Sequence, residues 1–215
     1  MTSLAVVTPW HNCHELAPAY WRATSVLADA DRIIVVDNAS EPPLEHPGIR
    51  GAIVHRVDTN LGFSKACNVA FDLVKTDAVC FLNNDIRMVS ATWADNIRQA
   101  LKPGTLVGAH LRADPHTAVD DGKPIPYLDG WCLAIMRDDL HAIGGWDDLK
   151  EPSYWGDNIL CVRATAAGMR LAEVPVVGLT HIGNYTSRRI QARDDLSALN
   201  RGRYEQVVRE SRQTA

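Results

Sequence analysis

The sequence predicts an α/β protein: one domain with a mostly parallel central sheet flanked by helices. Apolar runs suited to buried strands recur along the first half of the chain, and helical stretches separate them. Polar and acidic residues directly follow several of these runs, at the position where ligands collect in such sheets. A chain of 215 residues with 46% hydrophobic residues is long enough for one sizeable domain.

Four apolar runs predict strands in the first half, and helical spacing predicts helices between them. The strands are residues 4–8, 32–37, 52–57 and 78–82, and the helices are residues 16–27 and 64–74. Strands that alternate with helices in this way are typical of βαβ units and therefore of a parallel sheet.

The second half is less regular. A helix is predicted over residues 92–101, with Ser90 as its N-cap, and another over residues 157–167, which ends at Gly168. Residues 106–109 and 132–136 have the composition of strands. Residues 114–127 are polar with three prolines and read as a loop near a site.

The composition changes from about Ser187 onward, so we divide the chain into a domain of residues 1–186 and a basic helical tail of residues 187–215. The tail carries seven arginines against four acidic residues, and it has an apolar stripe at Leu196, Leu199, Tyr204, Val207 and Val208. Two interpretations stay open: a helix packed on the domain, or a docking surface for an anionic acceptor.

Charge and cysteine content exclude several classes of protein. A net charge of −4 argues against a surface that coats nucleic acid or membranes. No apolar run approaches the roughly 20 residues that span a bilayer, and the first residues lack a basic signal-peptide segment, so we expect a cytoplasmic protein. The five cysteines are scattered, and we expect them to be reduced.

The most informative stretch is Asn83-Asn84-Asp85, which follows the apolar run 78–82. A carboxylate beside short polar side chains at a strand end can hold a hard divalent cation against a diphosphate. An ordinary turn after a strand has the same composition, because Asn and Asp favour turns.

Two further strand ends carry residues suited to a nucleotide. Asp37 ends the second strand, where a carboxylate can accept hydrogen bonds from a base or ribose, although a turn or cap is an equal alternative. Asn60, Gly62 and Lys65 join the third strand to its helix, where backbone N–H groups and a lysine can meet phosphate. The loop is neither a Walker A motif nor a dinucleotide fingerprint.

Acceptor and base candidates lie in the second half. Tyr154 and Trp155 are flat aromatic rings of the kind on which sugars stack, and Asp157 beside them can take a proton from an attacking hydroxyl. His181 follows an apolar run and becomes a metal candidate only as a partner for Asp85.

The order of these motifs resembles that of the family 2 glycosyltransferases of the GT-A fold, in particular the rhamnosyltransferase-like members. The similarity extends over about residues 4–187. It rests on Thr8-Pro9, Val36-Asp37-Asn38-Ala39-Ser40, Asn60-Leu61-Gly62-Phe63 with Asn68, Leu82-Asn83-Asn84-Asp85, Gly144-Gly145-Trp146-Asp147, Asp157 with Leu160-Cys161-Val162-Arg163, and His181.

The resemblance implies a role for each matching residue. Asp157 would be the catalytic base, and Asp85 with His181 would bind Mn²⁺ or Mg²⁺. The donor nucleotide sugar would be bound by Thr8, Pro9, Asp37, Asn60, Gly62, Asn83 and Asn84. Lys65, which the family motif does not include, is a donor candidate only because it can reach phosphate, and a solvated lysine is the alternative. We place the acceptor against Asp129, Trp131, Tyr154 and Trp155, since aromatic faces suit sugars and bases alike.

Two positions depart from the family pattern. Asn83 stands for the first acid of the Asp-x-Asp motif, which changes the contacts to the donor. Gly156 replaces the Glu that precedes the base, which alters the acceptor side more than the chemistry.

The predicted function is inverting, metal-dependent glycosyl transfer from a nucleoside-diphosphate sugar to an acceptor hydroxyl. A saccharide or small molecule is the favoured acceptor, and a hydroxylated DNA base is possible because the tail is basic. The alternatives are a non-catalytic module of the same fold that binds nucleotide sugar or saccharide, and a nucleotidyltransferase, which would need a glycine-rich basic phosphate loop early in the chain.

Overall fold

The structure is a computed structural model, and it describes residues 2–120, 122–149, 154–175, 177–183 and 193–213. The strands are β1 Leu4–Trp10, β2 Arg32–Asn38, β3 Ala52–Val57, β4 Ala78–Leu82, β5 Ile86–Met88, β6 Thr105–Gly108, β7 Leu111–Arg112, β8 Tyr127–Leu128, β9 Cys132–Met136, β10 Arg170–Glu173 and β11 Leu179–His181. The helices are α1 Ala17–Thr24, α2 Phe63–Asp72, α3 Trp93–Ala100, α4 Arg137–Ala142, α5 Gly156–Ala166 and α6 Arg193–Gln213, with 3-10 turns at His14–Leu16 and Pro115–Thr117.

Seven strands form the central sheet in the order β10-β6-β9-β4-β1-β2-β3. The pairs β4–β1, β1–β2, β2–β3 and β10–β6 are parallel, and β9 runs antiparallel to both of its neighbours. The prediction of a mostly parallel sheet flanked by helices is confirmed. Two short ribbons, β5–β11 and β7–β8, lie beside it.

Helices cover both faces of the sheet, which explains why its inner strands, such as β1, β4 and β9, read as continuous apolar runs. Along β1, Leu4 and Val6 belong to the core that packs against α1 and α3. Ala5 and Val7 belong to the opposite core, which packs against α2, α4 and α5. Every one of these four side chains is fully buried.

Helix α6 packs on the domain through a third, smaller core that it shares with α5. Tyr204, Val207 and Val208 are buried there, whereas Leu199, which the sequence places in the same stripe, is 64% exposed. Leu199 lies off the packed face because the stripe follows helical spacing only over its C-terminal part. No helix of the described residues is long and apolar enough to cross a membrane.

Short elements escaped the sequence prediction. Strands β5 and β11 have three residues each, and β10 contains two charged residues, so none gives a clear periodic signal. Helix α3 begins at Trp93 after Thr92, which makes the prediction of Ser90 as N-cap wrong. Ser90 lies in the turn before the helix, where its Oγ accepts the N–H of Thr92 at 3.3 Å.

A buried ion pair stabilises the end of the sheet where β1 and β2 begin, opposite the candidate site. Asp31 is 4% exposed, and it accepts the backbone N–H groups of Leu4 and Ala28 at 2.9 and 3.0 Å. Arg98 from α3 completes the pair with the same carboxylate. One side chain thus joins the start of β1, the turn before β2 and helix α3.

We expect Asp31→Ala to lower the free energy of unfolding by about 1–3 kcal/mol, because the buried N–H of Leu4 loses its acceptor. Arg98 loses one of its two carboxylate partners and keeps Asp95. Urea unfolding followed by circular dichroism measures this loss. The control is Asp29→Ala, which breaks an exposed pair with Arg50 and should cost no more than about 0.5 kcal/mol. Equal effects of the two substitutions would contradict the assignment.

Candidate active site

The candidate site lies at the edge of the sheet where β1, β2 and β4 end. These strands run parallel, so the residues that follow them meet at one edge. Strand β9 starts at the same edge because it is antiparallel to β4, with Cys132 opposite Leu82. The residues before β9 therefore come to lie beside those that follow β4.

Asp37 is a buried carboxylate at the end of β2, with 1% of its surface exposed. Its Oδ1 accepts the N–H of Ser40 at 3.0 Å, and its Oδ2 accepts the N–H of Leu44 at 3.1 Å and Nη1 of Arg56 at 2.6 Å. Burial alone would raise the pKa of Asp37, but the hydrogen bonds outweigh it and lower the pKa. Asp37 is therefore ionised, and its bonds fix the turn that follows β2.

Asn38 fastens the loop before α2 onto the end of β2. Its Nδ2 donates to Asn60 Oδ1 at 2.8 Å and to the carbonyl oxygen of Gly62 at 3.1 Å, while its Oδ1 accepts the N–H of Leu61 at 2.7 Å. Gly62 has φ 80° and ψ −175°, a conformation that is essentially restricted to glycine. The structure thus holds Asn60 and Gly62 against Asn38, the residue that follows Asp37.

Three other predicted donor residues have partners inside the protein or lie partly covered. Thr8 is fully buried, and its hydroxyl donates to the carbonyl oxygen of Leu82 and accepts from Tyr20, both at 2.7 Å. Pro9 is half-buried at the end of β1. Lys65 is half-exposed, and its Nζ lies 2.9 Å from Asp148 Oδ1.

The ribbon β5–β11 brings His181 to Asp85. His181 lies opposite Ile86 in this antiparallel pair, and the N–H of Ile182 donates to the carbonyl oxygen of Asp85 at 2.9 Å. As a result, Nε2 of His181 lies 2.9 Å from Oδ1 of Asp85, although the two residues are 96 positions apart in sequence. Asp85 is 3% exposed and Asn84 is 6% exposed.

Three polar side chains, those of Asn83, Asp85 and His181, meet at this point. Nε2 of His181 also lies 3.2 Å from the side-chain amide nitrogen of Asn83, and the amide oxygen of Asn83 is buried with no hydrogen-bond partner among the described residues. One imidazole nitrogen is either a donor or an acceptor, so it cannot bond both Asp85 and this amide nitrogen. Turning the Asn83 amide over would bring its oxygen to the same point. A cation would satisfy all three groups.

The donor atoms fit a divalent cation. Carboxylate and amide oxygens suit Mg²⁺ and Mn²⁺, and the imidazole nitrogen favours the transition metal of the two. Among the described residues no group of three or more His, Cys, Asp or Glu side chains is placed to hold a metal. The remaining ligands would then be the amide oxygen, water and the substrate.

Trp131 and Asp129, predicted to contact the acceptor, both have partners within the protein. Trp131 is 6% exposed, and its ring stacks on that of His181 at 5.2 Å with 7° between the planes. Asp129 accepts Nε of Arg112 at 2.7 Å and lies 3.2 Å from Nδ1 of His110. Trp131 therefore orients His181, and Asp129 organises the loop before β9.

Asp157 lies in the first turn of α5 and is half-buried. Its Oδ2 accepts the N–H of Gly130 at 2.9 Å, and its Oδ1 accepts the N–H of Asn158 at 3.0 Å. Burial raises the pKa of Asp157 despite these bonds, and the nearby charge of Asp129 raises it further. A carboxylate with a raised pKa is a stronger base than an ordinary aspartate.

The two glycines beside Asp157 leave no room for a side chain. A Cβ at Gly130 would lie 3.0 Å from Oδ2 of Asp157. A Cβ at Gly156 would lie 2.9 Å from Oγ of Ser64 and 3.4 Å from the ring of Trp146. A Glu at position 156 would therefore not fit, because the hydroxyl of Ser64 occupies the space that its side chain would need.

Tyr154 and Trp155, the two aromatics before Asp157, are both half-buried. The ring of Trp155 stacks on Tyr204 of α6 at 5.0 Å, and its Nε1 donates to Oγ of Ser197 at 3.3 Å. Trp155 therefore packs against the C-terminal helix.

Sequence reasoning gave no role to Arg56 or Asn38, and it named Gly130 only within the acceptor-side stretch Asp129-Gly130-Trp131, without its contact to Asp157. Arg56 follows His55 in a strand whose other residues are apolar, and Asn38 is adjacent to Asp37, so both patterns carry a signal. Gly130 carries none, because its role depends on contact with a helix that starts 26 residues later.

Two comparisons with known proteins agree on the class of fold. The family model described as "Glycosyl transferase family 2" matches residues 5–143. Among solved structures, a mannosyltransferase from Pyrobaculum calidifontis in complex with GDP-Man and Mn²⁺ matches with a TM-score of 0.62 at 19% identity, over 81% of this chain and 55% of that chain. S. aureus TarS 1–349 in complex with UDP-GlcNAc matches with a TM-score of 0.62 at 12% identity, over 99% of this chain and 72% of that chain.

The chain thus spans little more than half the length of the mannosyltransferase. The comparison with curated proteins gives no match. At these identities the structural matches establish the fold, and the match to the family model establishes the family.

Arg56→Ala should destabilise the protein by about 1–3 kcal/mol at neutral pH, because it leaves the buried Asp37 with one donor fewer. The folded-state pKa of Asp37 lies below its usual value of 3.8. Ionised Asp37 therefore stabilises the fold at pH values above 3.8, and this contribution is lost as the pH falls through the folded-state pKa. The difference between wild type and variant should shrink below about pH 3.8.

Urea unfolding at a series of pH values tests this dependence. Arg50→Ala, which removes an arginine from an exposed ion pair, serves as the control and should show no comparable pH dependence. A difference between wild type and Arg56→Ala that stays constant down to acidic pH would contradict the role given to Arg56.

Proposed function

Because this chain belongs to glycosyl transferase family 2, we propose that it transfers a sugar with inversion from a nucleoside-diphosphate sugar to an acceptor hydroxyl, with a divalent metal ion bound. The family and the GT-A fold make it a glycosyltransferase. The observation that supports the inverting mechanism is Asp157, a half-buried carboxylate with a raised pKa at the edge where the strands end.

In this mechanism Asp157 removes the proton from the acceptor hydroxyl. The acceptor oxygen attacks the anomeric carbon from the face opposite the diphosphate, and the bond to the diphosphate breaks as its oxygen takes the electron pair. The hydrogen bonds from Gly130 and Asn158 keep the carboxylate in one orientation. A base that is held in place in this way avoids the entropic cost of finding the proton.

Asp85, His181 and Asn83 would hold the metal ion, and Trp131 would keep the histidine ring oriented. When bound, the ion supplies positive charge to the departing diphosphate. The Mn²⁺ in the structure of the mannosyltransferase supports the choice of Mn²⁺. Mg²⁺ is the alternative.

The donor nucleotide is proposed to lie along the ends of β1 and β2 and the loop before α2. Asn60 and Gly62 offer backbone and amide groups there, and Asp37 and Thr8 shape the pocket from within. Asn84 completes the lining at the end of β4, with Pro9 and Lys65 at its margins. The two structural relatives carry GDP-Man and UDP-GlcNAc, so the comparison leaves the base of the donor open.

A saccharide or small molecule is the acceptor we propose, in preference to a hydroxylated DNA base. A DNA acceptor would need cations free to contact phosphate. In α6, Arg203 is paired with Asp147 and Arg209 with Asp120. Tyr154, with the loop around Asp129, lies on the acceptor side of Asp157 in this proposal.

Asp157→Asn should lower kcat by about 10²–10⁴-fold, because the amide cannot accept the proton. The Kd of the donor should stay unchanged, since Asp157 does not contact the donor in this mechanism. Transfer of label from nucleotide sugar to acceptor gives the rate. Asp138→Asn, at an exposed position of α4, is the control, and transfer by Asp157→Asn at the parental rate would refute the base.

Metal-dependent nucleotide binding is the first test of the donor site. Calorimetric titration with UDP, GDP, TDP and CDP, each with Mn²⁺ and again with a chelator, should show one nucleotide whose binding needs the metal. Asp85→Asn and His181→Ala should each weaken that binding at least about 10-fold, whereas Asp138→Asn should not. If the nucleotide binds equally well with Mn²⁺ and with the chelator, Asp85 and His181 do not form a metal site that the nucleotide needs.

A further inference from the structure

Trp155 occupies a strained position at the start of α5. Its backbone is left-handed, with φ 77° and ψ −2°. A bulky L-residue rarely adopts this conformation, which persists only where the surroundings hold it in place. Such strain two residues before the proposed base requires a physical cause.

Helix α6 supplies that cause. Tyr204 stacks on the indole of Trp155 at 5.0 Å with 28° between the planes, and the guanidinium of Arg201 lies over the ring at 5.4 Å. Ser197 accepts the indole N–H at 3.3 Å, and the ring of His116 meets the indole edge-on at 5.5 Å. Three residues on one face of α6 therefore contact the side chain of Trp155.

The residues that hold Trp155 are themselves anchored. Tyr204 is fully buried, and its hydroxyl donates to the carbonyl oxygen of Thr117 at 2.7 Å. Arg201 donates from Nη1 to the carbonyl oxygen of His116 at 3.1 Å. The C-terminal helix and the Pro115–Thr117 turn thus form one support for the indole.

The position of Trp155 determines where Asp157 lies. The carbonyl oxygen of Trp155 accepts the N–H of Ile159 at 2.9 Å, which is the first hydrogen bond of α5. Asp157 lies inside that turn, and its carboxylate must meet the N–H of Gly130 at 2.9 Å. Gly130 and the carboxylate of Asp157 are in close contact, since a Cβ on Gly130 would lie only 3.0 Å from the carboxylate.

We propose that Trp155 is a positioning residue for Asp157, and that α6 holds it in place through Tyr204 and Arg201. The C-terminal helix would then be a working part of the catalytic site. This inference rests on the proposed function, in which Asp157 is the base. It replaces the expectation that Trp155 is a platform for the acceptor, because α6 already occupies the ring.

The kinetic test compares three substitutions in the small core between α5 and α6. Tyr204→Leu removes the stacked ring and should lower kcat about 10–100-fold with an unchanged KM for the donor, because a base displaced by about 1 Å loses its alignment. Tyr204→Phe keeps the ring and should retain most of kcat. Val208→Ala perturbs the same buried core away from the indole, and should lower stability without lowering kcat.

A spectroscopic test works without turnover. The amide proton of Gly130 reports its bond to Asp157, and the spectrum of Asp157→Ala provides the reference for a broken bond. In Tyr204→Leu the Gly130 amide signal should move towards that reference and exchange faster with solvent. In Tyr204→Phe and Val208→Ala it should stay at the wild-type position. Trp155→Phe, which shortens the ring and loses the Ser197 bond, should shift the signal in the same direction if Tyr204→Leu does not fold.

The outcomes separate the two proposals. A Gly130 amide that stays at its wild-type position in Tyr204→Leu and Trp155→Phe, or an equal loss of kcat in Tyr204→Leu and Val208→Ala, would overturn the positioning role. If wild-type protein transfers no sugar, or Asp157→Asn transfers at the parental rate, the proposed function fails. The Gly130 signal still decides whether α6 positions Asp157 in that case.

Discussion

The whole site depends on one constraint, the parallel course of β1, β2 and β4 through a sheet that is covered on both faces. Parallel strands deliver their carboxyl ends to one edge, so polar residues far apart in sequence become neighbours there. The hydroxyl of Thr8 binds the last carbonyl group of β4 and keeps the ends of the two strands level. The short ribbon β5–β11 then places His181 at that same edge, although β11 does not belong to the central sheet.

Environment gives two aspartates at this edge opposite properties. Asp37 accepts three donors, one of them cationic, and its pKa is lowered. Among the described residues, Asp157 accepts from backbone N–H groups alone, while burial and a neighbouring carboxylate raise its pKa. The same residue type therefore forms an ionised scaffold in one place and, in the mechanism proposed above, accepts a proton in the other. Separated pKa values of this kind divide roles between acids in enzyme sites.

Local sequence patterns predicted the strands, the sheet type and the residues at the strand ends, because each is determined by neighbours within about ten positions. The partners of the aromatic residues were not predictable in this way. Trp131 and Trp155 are aromatic residues of the kind on which sugars stack. In the fold, however, Trp131 stacks on His181, and Trp155 stacks on Tyr204. Both contacts join residues about 50 positions apart, so they depend on the packed fold rather than on any local pattern.

The same limit applies to charge. Counting arginines makes the C-terminal segment basic, but the count cannot show where their partners are. Arg203 reaches Asp147 before α5 and Arg209 reaches Asp120, so acids of the domain neutralise charge that the sequence assigns to the tail. These ion pairs are partly exposed and each contributes little stability. Their contribution is to align α6 on α5, which brings Tyr204 to the indole beside the proposed base. Among the described residues of this segment, Arg203 and Arg209 therefore attach the helix to the domain.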